Sequence, residues 1–151
     1  MKVLVCVEAR GGTLFNGRRQ SSDRNVSRDM LKEAGALGED GKLISPEEAE
    51  RQGRRLWISP FSRKLFRGKS DYLVVLEDPL REAKEDETFE KGFQSSFSEG
   101  MITVFVEDQP LSPYEEAIEE LVLYQWNRVY PFDRKLDLDL SGYELVETSQ
   151  L

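Results

Sequence analysis

Short apolar runs rich in β-branched residues recur along this chain, and they limit its fold more than any other feature. Residues 2–7 (KVLVCV), 71–76 (DYLVVL) and 101–106 (MITVFV) are nearly continuous in apolar character. Strands of this kind are buried on both faces of a sheet, as happens in parallel sheets covered by helices. The sequence therefore predicts an α/β protein with a mainly parallel sheet.

Capped helical segments alternate with these runs. A helix is predicted from Asp23, with Ser22 or Asp23 as its N-cap and Gly35 as its stop, because Val26 and Met30 share one face. Three more helices are predicted to begin at serine-proline pairs, namely Ser45-Pro46, Ser59-Pro60 and Ser112-Pro113.

Three more strands complete the predicted sheet. Two lie at residues 54–59 and 121–130. In residues 143–149 (YELVETS) apolar and polar residues alternate, as they do in an edge strand. The last strand follows a connection without a helix, so it is expected to return antiparallel to its neighbour. We therefore predict that residues 1–151 form one domain, an open mixed sheet with helices on both faces and an antiparallel C-terminal edge.

The segment between residues 77 and 100 gives the weakest structural signal. It is acid-rich, and its aromatic residues recur at helical spacing. The predicted core-facing stripe consists of Phe89, Phe93 and Phe97.

Residue types that the chain lacks exclude several function classes. None of the 151 residues is histidine, which removes Ser-His and Cys-His nucleophile pairs and zinc sites with imidazole ligands. The single cysteine, Cys6, lies in the first strand and cannot form an internal disulfide, so we expect it to fill the core in a reducing cytoplasm. No signal peptide or membrane span is indicated, since a span needs about 20 apolar residues.

The charge distribution is uneven. The net charge of -8 argues against general nucleic-acid binding, which needs a basic surface. Residues 1–70 nevertheless hold 15 Lys and Arg against 9 Asp and Glu, whereas residues 71–151 hold 6 against 20. The two halves either neutralise each other in the folded domain or leave a local anion-binding surface.

Arginines are concentrated in residues 14–30 (LFNGRRQSSDRNVSRDM), which follow the first strand and precede a helix. Guanidinium groups near a helix N-terminus suit a phosphate or carboxylate, so this loop is the predicted site for an anionic small molecule. Alternatively, Arg18 and Arg19 pair with acids of the C-terminal half and fasten the loop. The candidate ligands in this segment are Arg18, Arg19, Gln20, Ser21, Asp23 and Arg24.

Two later segments offer polar candidates. Alternation puts Trp126 and Arg128 on one face of a strand, where they could stack a flat ring, although Trp126 also suits a core position. Asp133, Asp137 and Asp139 lack the glycine and terminal glutamate of a calcium loop and are expected on a solvated face, so no metal site is predicted.

The order of elements resembles the dihydrofolate reductase family over nearly the whole chain. LVLYQWNRVYPFDRKLDLDL followed by SGYELVETS is similar to the C-terminal third of that family, and RRLWISPFSRKLFRGKSDYLVV to its second strand, helix and third strand. The resemblance implies a reductase-like fold and an NADPH-dependent reductase of a flat heteroaromatic substrate. It also makes Asp23 the candidate for the substrate-holding acid, although Asp23 equally suits an N-cap.

The cofactor motifs of that family are altered here. Residues 59–63 (SPFSR) stand where the reductases have a Gly-Arg-Thr phosphate contact. Glu107 and Asp108 stand where a glycine pair would admit the pyrophosphate, and two carboxylates facing a phosphate would repel it. The expectation is therefore a cofactor site that has been lost.

FNGRRQSSDR and WNRVYPFD also resemble a group of small bacterial proteins, some of which carry a ribonuclease Z label. That nuclease needs a histidine-rich site for two metals, which this chain cannot form.

Three functions follow as expectations. The first is a ligand-binding protein without reductase activity or bound cofactor, the second an NADPH-dependent reductase, and the third a protein-interaction module that uses acidic residues 77–99.

Overall fold

The computed structural model describes residues 1–19, 23–93 and 101–151, and within them the chain forms strands, α-helices and 3₁₀ helices. The strands are β1 (Lys2–Val7), β2 (Gly12–Phe15), β3 (Arg18–Arg19), β4 (Leu56–Ile58), β5 (Leu73–Val75), β6 (Thr103–Phe105), β7 (Glu120–Gln125) and β8 (Arg134–Lys135). The α-helices are α1 (Arg24–Glu33), α2 (Pro46–Gln52) and α3 (Pro79–Phe93). The 3₁₀ helices are Pro60–Phe66, Ser70–Tyr72, Ser112–Ala117 and Leu140–Gly142.

The main sheet has five strands in the order β5-β4-β6-β1-β7, and every pairing described within it is parallel. This confirms the predicted α/β class and the mainly parallel sheet. Continuous apolar runs form its strands because both faces are covered. The segments predicted to become helices at residues 60 and 112 are 3₁₀ rather than α-helices.

The predicted antiparallel C-terminal edge is wrong. Residues 143–149 form no strand, and the edge beside β1 is β7, which runs parallel to it. Antiparallel pairing occurs instead in a small second sheet with the order β3-β2-β8. The chain leaves β7 at Gln125 and pairs β8 with β2, so it does not return along the edge of the main sheet.

Two apolar layers cover the faces of the main sheet, which confirms helices on both sides. On one face Leu4 packs with Val26 and Met30 of α1 and with Ala49 of α2. On the other face Val3, Val5 and Val7 pack with side chains of α3. Because successive side chains of a strand point to opposite faces, β1 supplies apolar groups to both layers.

Helix boundaries agree with the capping signals. The Asp23 side chain accepts a hydrogen bond from the Asn25 backbone N–H at 2.6 Å, and Ser45 accepts one from Glu48 N–H at 3.2 Å. Gly35 and Gly53 follow the two helices with φ of 86° and 65°, a conformation that favours glycine. The alternative cap, Ser22, and the predicted stripe of Phe89, Phe93 and Phe97 lie outside the described residues and side chains.

No α-helix in the described part of the chain is both long and apolar enough to cross a membrane.

The small sheet is packed tightly at its centre. A Cβ atom on Gly12 would lie 2.4 Å from Cγ of Phe132, so the ring occupies the space that any other residue would need. The Arg10 guanidinium lies over the same ring, with its central carbon 4.8 Å from the ring centroid. The missing side chain at Gly12 therefore allows the segment after β7 to pack onto β2.

We expect Gly12→Ala to lower the free energy of unfolding by about 1–3 kcal/mol, because the added methyl group overpacks against Phe132. Chemical denaturation of the variant measures this. Gly142→Ala is the matched control, since a Cβ there meets nothing within 4 Å. Equal stability of the two variants would contradict the packing role given to Gly12.

Candidate functional site

A buried carboxylate fixes the start of the site. Glu8, 1% exposed, directly follows β1, and its carboxylate oxygens accept hydrogen bonds from the backbone N–H groups of Arg10 at 2.6 Å, Gly12 at 2.9 Å and Tyr130 at 3.2 Å. Burial raises the pKa of Glu8, but the N–H donors outweigh it and hold the pKa below its ordinary value. Glu8 thereby joins the entry to β2 to the segment that follows β7.

The predicted arginine loop contains a hairpin. Asn16 and Gly17 both have positive φ, 50° and 70°, as the two central residues of a tight hairpin turn do. The turn sets Arg18 opposite Phe15 and Arg19 opposite Leu14. Arg18 and Arg19 therefore lie on a strand, and their side chains point to opposite sides.

The inward-pointing arginine is paired with a buried acid. Arg19 Nε donates to Glu107 Oε1 at 2.9 Å, and its Nη2 donates to Oε2 at 2.8 Å, a bidentate contact. The guanidinium carbon also lies 5.4 Å from the centroid of the Phe61 ring. Of the two interpretations of Arg19, pairing with an acid of the C-terminal half is the one observed.

Glu107 and the neighbouring Asp108 are both bound by serine hydroxyls. Ser62 Oγ donates to Glu107 Oε2 at 2.7 Å, and Ser59 Oγ donates to Asp108 Oδ1 at 3.1 Å. Ser62 is fully buried, and Glu107 is only 8% exposed. The segment after β4 is thus joined to the segment after β6, across the edge where strands of α/β sheets commonly bind ligands.

The crevice at this edge is almost filled. Its volume is about 20 Å³, close to what one water molecule requires. A flat heteroaromatic ring does not fit into it as it stands. Its lining includes Cys6, Thr13, Arg19, Asp23, Val26, Ser27, Met30, Leu65, Glu107 and Trp126.

Cys6 faces this crevice as an unreactive thiol. Its pKa is raised from 9.0 to about 12, mainly by burial and in addition by the Glu107 carboxylate, while the Arg19 guanidinium lowers it in part. A thiol with so high a pKa is protonated at neutral pH and is a poor nucleophile. This agrees with the prediction that Cys6 fills the core.

The other residues predicted for the loop site do not converge on one point. Asp23 is exposed and serves as the N-cap of α1, although it also lines the crevice. Arg24 is exposed on the first turn of that helix. Gln20 and Ser21 lie outside the described residues.

Trp126 and Arg128 lie beyond the end of β7, so the predicted shared strand face does not exist. The strand ends at Gln125, and Trp126 N–H donates to the Val7 carbonyl oxygen at 2.8 Å. Trp126 is half-buried against the core layer that contains Met30, and it also lines the crevice. Arg128 is exposed, and its carbonyl oxygen accepts from Ala9 N–H at 2.9 Å.

A larger groove lies on the outer side of the hairpin. Its volume is about 500 Å³, within the range of small-molecule sites. Phe15 is 42% exposed beside it, and Arg18 is also exposed. The groove is lined by Phe15, Asn16, Arg18, Arg19, Tyr130 and Pro131.

The sequence interpretation missed several of these residues. Phe15 and Tyr130 were not candidates, and neither was the contact of Ser62 with Glu107. The Asn16-Gly17 pair is a strong hairpin signal. Alternation of side chains along the hairpin strands could then have predicted that Phe15 faces the groove.

Among the described residues no group of histidine, cysteine, aspartate and glutamate could hold a metal ion. Comparison of the chain with models of protein families, with curated proteins and with solved structures finds no match.

We expect Arg19→Ala to lower the free energy of unfolding by about 3 kcal/mol, because Glu107 remains buried without its cation. Denaturant titration measures the loss. Arg18→Ala is the matched control and should change stability by less than about 0.5 kcal/mol, since Arg18 is exposed. Arg19→Ala combined with Glu107→Gln should recover part of the loss. An Arg19→Ala variant as stable as Arg18→Ala would contradict the role of the ion pair.

We expect the native Cys6 thiol to resist a disulfide reagent at pH 8 and to react once denaturant unfolds the chain. The pKa of the Cys6 thiol is about 12 in the native protein, against an ordinary value of 9.0 in the unfolded chain. Between these two pH values the thiol is ionised in the unfolded chain but still protonated in the native protein. Stability should therefore fall over that range, and Cys6→Ala should remove this contribution. Rapid stoichiometric labelling of the native protein at pH 8 would contradict the raised pKa of the native thiol.

Proposed function

We propose that the protein binds a small anionic molecule carrying a flat ring, such as a nucleotide, in the groove between the β2–β3 hairpin and residues 130–131. The observation that supports this proposal is the contrast between two spaces. The groove of about 500 Å³ has aromatic and cationic lining, whereas the crevice at the strand ends has a volume of about 20 Å³. Of these two spaces in the described part of the chain, the groove is the one with room for such a ligand.

The chemistry of the groove suits this ligand class. The exposed rim of Phe15 and the ring of Tyr130 offer stacking surfaces. Arg18 lies directly opposite Phe15 across the hairpin, so its guanidinium can bind a phosphate or carboxylate beside a stacked ring. Arg19 already carries a bidentate pair with Glu107, which leaves Arg18 as the principal anchor for the anion.

We also infer that the domain has a reductase-like fold without reductase activity, in the cytoplasm. The order of elements from β1 to β7 supports the fold, whereas the antiparallel C-terminal edge of that family does not appear among the described residues. The residues at the family's pyrophosphate position do not fit the dinucleotide. Glu107 and Asp108 bring carboxylates there, and hydrogen bonds to Ser62 and Ser59 hold them in position.

The proposal is tested by calorimetric titration with AMP, with adenosine as the uncharged ring and inorganic phosphate as the anion without a ring. We expect AMP to bind more tightly than either. Arg18→Ala should weaken AMP binding about 10- to 100-fold, the value of one or two hydrogen bonds to a charged group, and Phe15→Ala should weaken AMP and adenosine alike.

Arg51→Ala is the matched control, since Arg51 is an exposed arginine on α2, outside the groove lining. Its affinity for AMP should equal that of the wild type. NADPH belongs in the same series, because binding of NADPH that survives Arg18→Ala would indicate the reductase alternative. If Arg18→Ala and Phe15→Ala both bind AMP as tightly as the wild type does, the groove is not the binding site.

A further inference from the structure

Another cavity lies between the small sheet and the segment that follows β6. Its volume is about 120 Å³, and because β8 supplies part of its lining we call it the β8 cavity. The apolar part of the lining belongs to the core layer on the α3 side and consists of Val5, Val106, Leu111 and Leu136. A cavity of about 150 Å³ holds benzene, so the β8 cavity suits a molecule of at most about six non-hydrogen atoms.

A β-bulge in the small sheet shapes this cavity. Gly12 of β2 pairs with Lys135 of β8. The next pair joins Leu14 to Arg134, so Thr13 is the extra residue of the bulge. Bulges of this kind re-aim a side chain and are frequent next to active sites. Thr13 lines the cavity, and its hydroxyl donates to the Arg134 carbonyl oxygen at 3.1 Å, which joins β2 to β8 there.

Two cations of β8 line the cavity and have no anion of their own. Within the described part of the chain, the side chains of Arg134 and Lys135 form neither an ion pair nor a hydrogen bond, and both are exposed. Two acids in the lining already have partners. Glu107 is held by its bidentate pair with Arg19, and Asp137 accepts hydrogen bonds from two backbone N–H groups at 2.9 Å and 3.0 Å. The free positive charge therefore suits a small anion.

Gln109 adds a buried acceptor to the lining of the cavity. Its Nε2 donates to the Glu77 carbonyl oxygen at 3.0 Å, which fixes the orientation of the amide. The amide oxygen, Oε1, is shielded from solvent and has no hydrogen-bond partner among the described residues. A buried acceptor without a donor is costly, and a ligand that donates a hydrogen bond to it removes that cost. The lining thus asks for a donor as well as an anion.

We propose that the β8 cavity binds a short α-hydroxycarboxylate, a molecule of the size of lactate. Its carboxylate accepts hydrogen bonds from Arg134 and Lys135, and its hydroxyl donates to Gln109 Oε1. Its hydrocarbon part lies against Val106 and Leu111. A hydroxyl supplies the donor without placing a third positive charge beside the two cations, as an amino group would.

The test is a titration of the isotope-labelled full chain, followed by its amide chemical shifts, with three probes of similar size. Lactate carries both groups, propionate lacks the hydroxyl, and propylene glycol lacks the carboxylate. We expect lactate to bind in the millimolar range and to shift the amides of residues 107–111 and 134–137. Propionate should bind about 2- to 10-fold more weakly, because one hydrogen bond is lost, and propylene glycol at least about tenfold more weakly, because the charged contact is lost.

Variants of the lining separate the two contacts. Arg134→Ala combined with Lys135→Ala should weaken lactate binding at least about tenfold, as loss of a hydrogen bond to a charged group does. Arg63→Ala combined with Lys64→Ala is the matched control, an adjacent Arg-Lys pair that is also exposed but lies outside the cavity lining. Gln109→Leu should bind lactate and propionate equally, because the acceptor that distinguishes them is gone. The amide spectra themselves show that each variant is folded.

Absence of saturable lactate binding at millimolar concentrations would overturn the proposal. So would propylene glycol that binds as tightly as lactate, or a control pair that loses as much affinity as the β8 pair, since the attraction would then reflect overall charge. The proposal does not depend on the groove. Arg18→Ala should bind lactate as the wild type does, and the double variant of Arg134 and Lys135 should bind AMP as the wild type does. Failure at one site is therefore distinguishable from failure at the other.

Discussion

A carboxylate at the end of a buried strand has to be paired, and this requirement at Glu107 organises the end of the molecule where ligands of such sheets bind. An unpaired charge there would cost several kcal/mol. Arg19 on the hairpin and Ser62 after β4 supply the partners. These contacts close the crevice and fasten the hairpin over it. Of the two spaces beside the hairpin, the larger therefore lies on its outer side.

A second buried acid holds the base of the same hairpin. Glu8 joins Gly12, where β2 begins, to Tyr130, which lines the outer groove. On the opposite side of the sheet end, the Tyr124 hydroxyl donates to Asp29 at 2.7 Å and ties β7 to α1. Burial raises the pKa of Tyr124, and the Asp29 carboxylate raises it further, so the hydroxyl keeps its proton and remains a donor. These hydrogen bonds thus join the base of the hairpin to the segment after β7, and β7 to α1.

The parts of the fold that local chemistry determines were predictable. Strand β1 was predicted with its observed bounds, because the interior of a sheet is the one favourable environment for a continuous apolar run. Asp23 and Ser45 were predicted as helix caps, because a cap forms its hydrogen bond within three residues along the chain. The pairing of Arg19 with Glu107 joins residues 88 apart in the chain, and no local pattern selects that acid among 29 Asp and Glu.

The misjudged elements have physical causes as well. Residues 143–149 have the alternation of a strand, but alternation does not provide a neighbour, and no strand among the described residues pairs with them. β8 is two residues long and was not predicted, since it exists only through its pairing with β2. The Asn16-Gly17 pair was a usable signal for the hairpin. It was overlooked because the arginines that follow it were interpreted as a loop.

The two neighbouring arginines of β3 are chemically identical, and only the geometry of the turn gives them different roles. Asn16 and Gly17 set the register, so Arg19 faces the acid and Arg18 faces solvent. A slip of one residue would reverse both directions. Because the doublet repeats the same side chain, a slip that moves Arg18 into the place of Arg19 would keep a guanidinium at Glu107 and send Arg19 to the outer side. A slip in the other direction would bring the uncharged Gln20 to Glu107 and lose the ion pair. The ion pair therefore tolerates a change of hairpin length by one residue in one direction only.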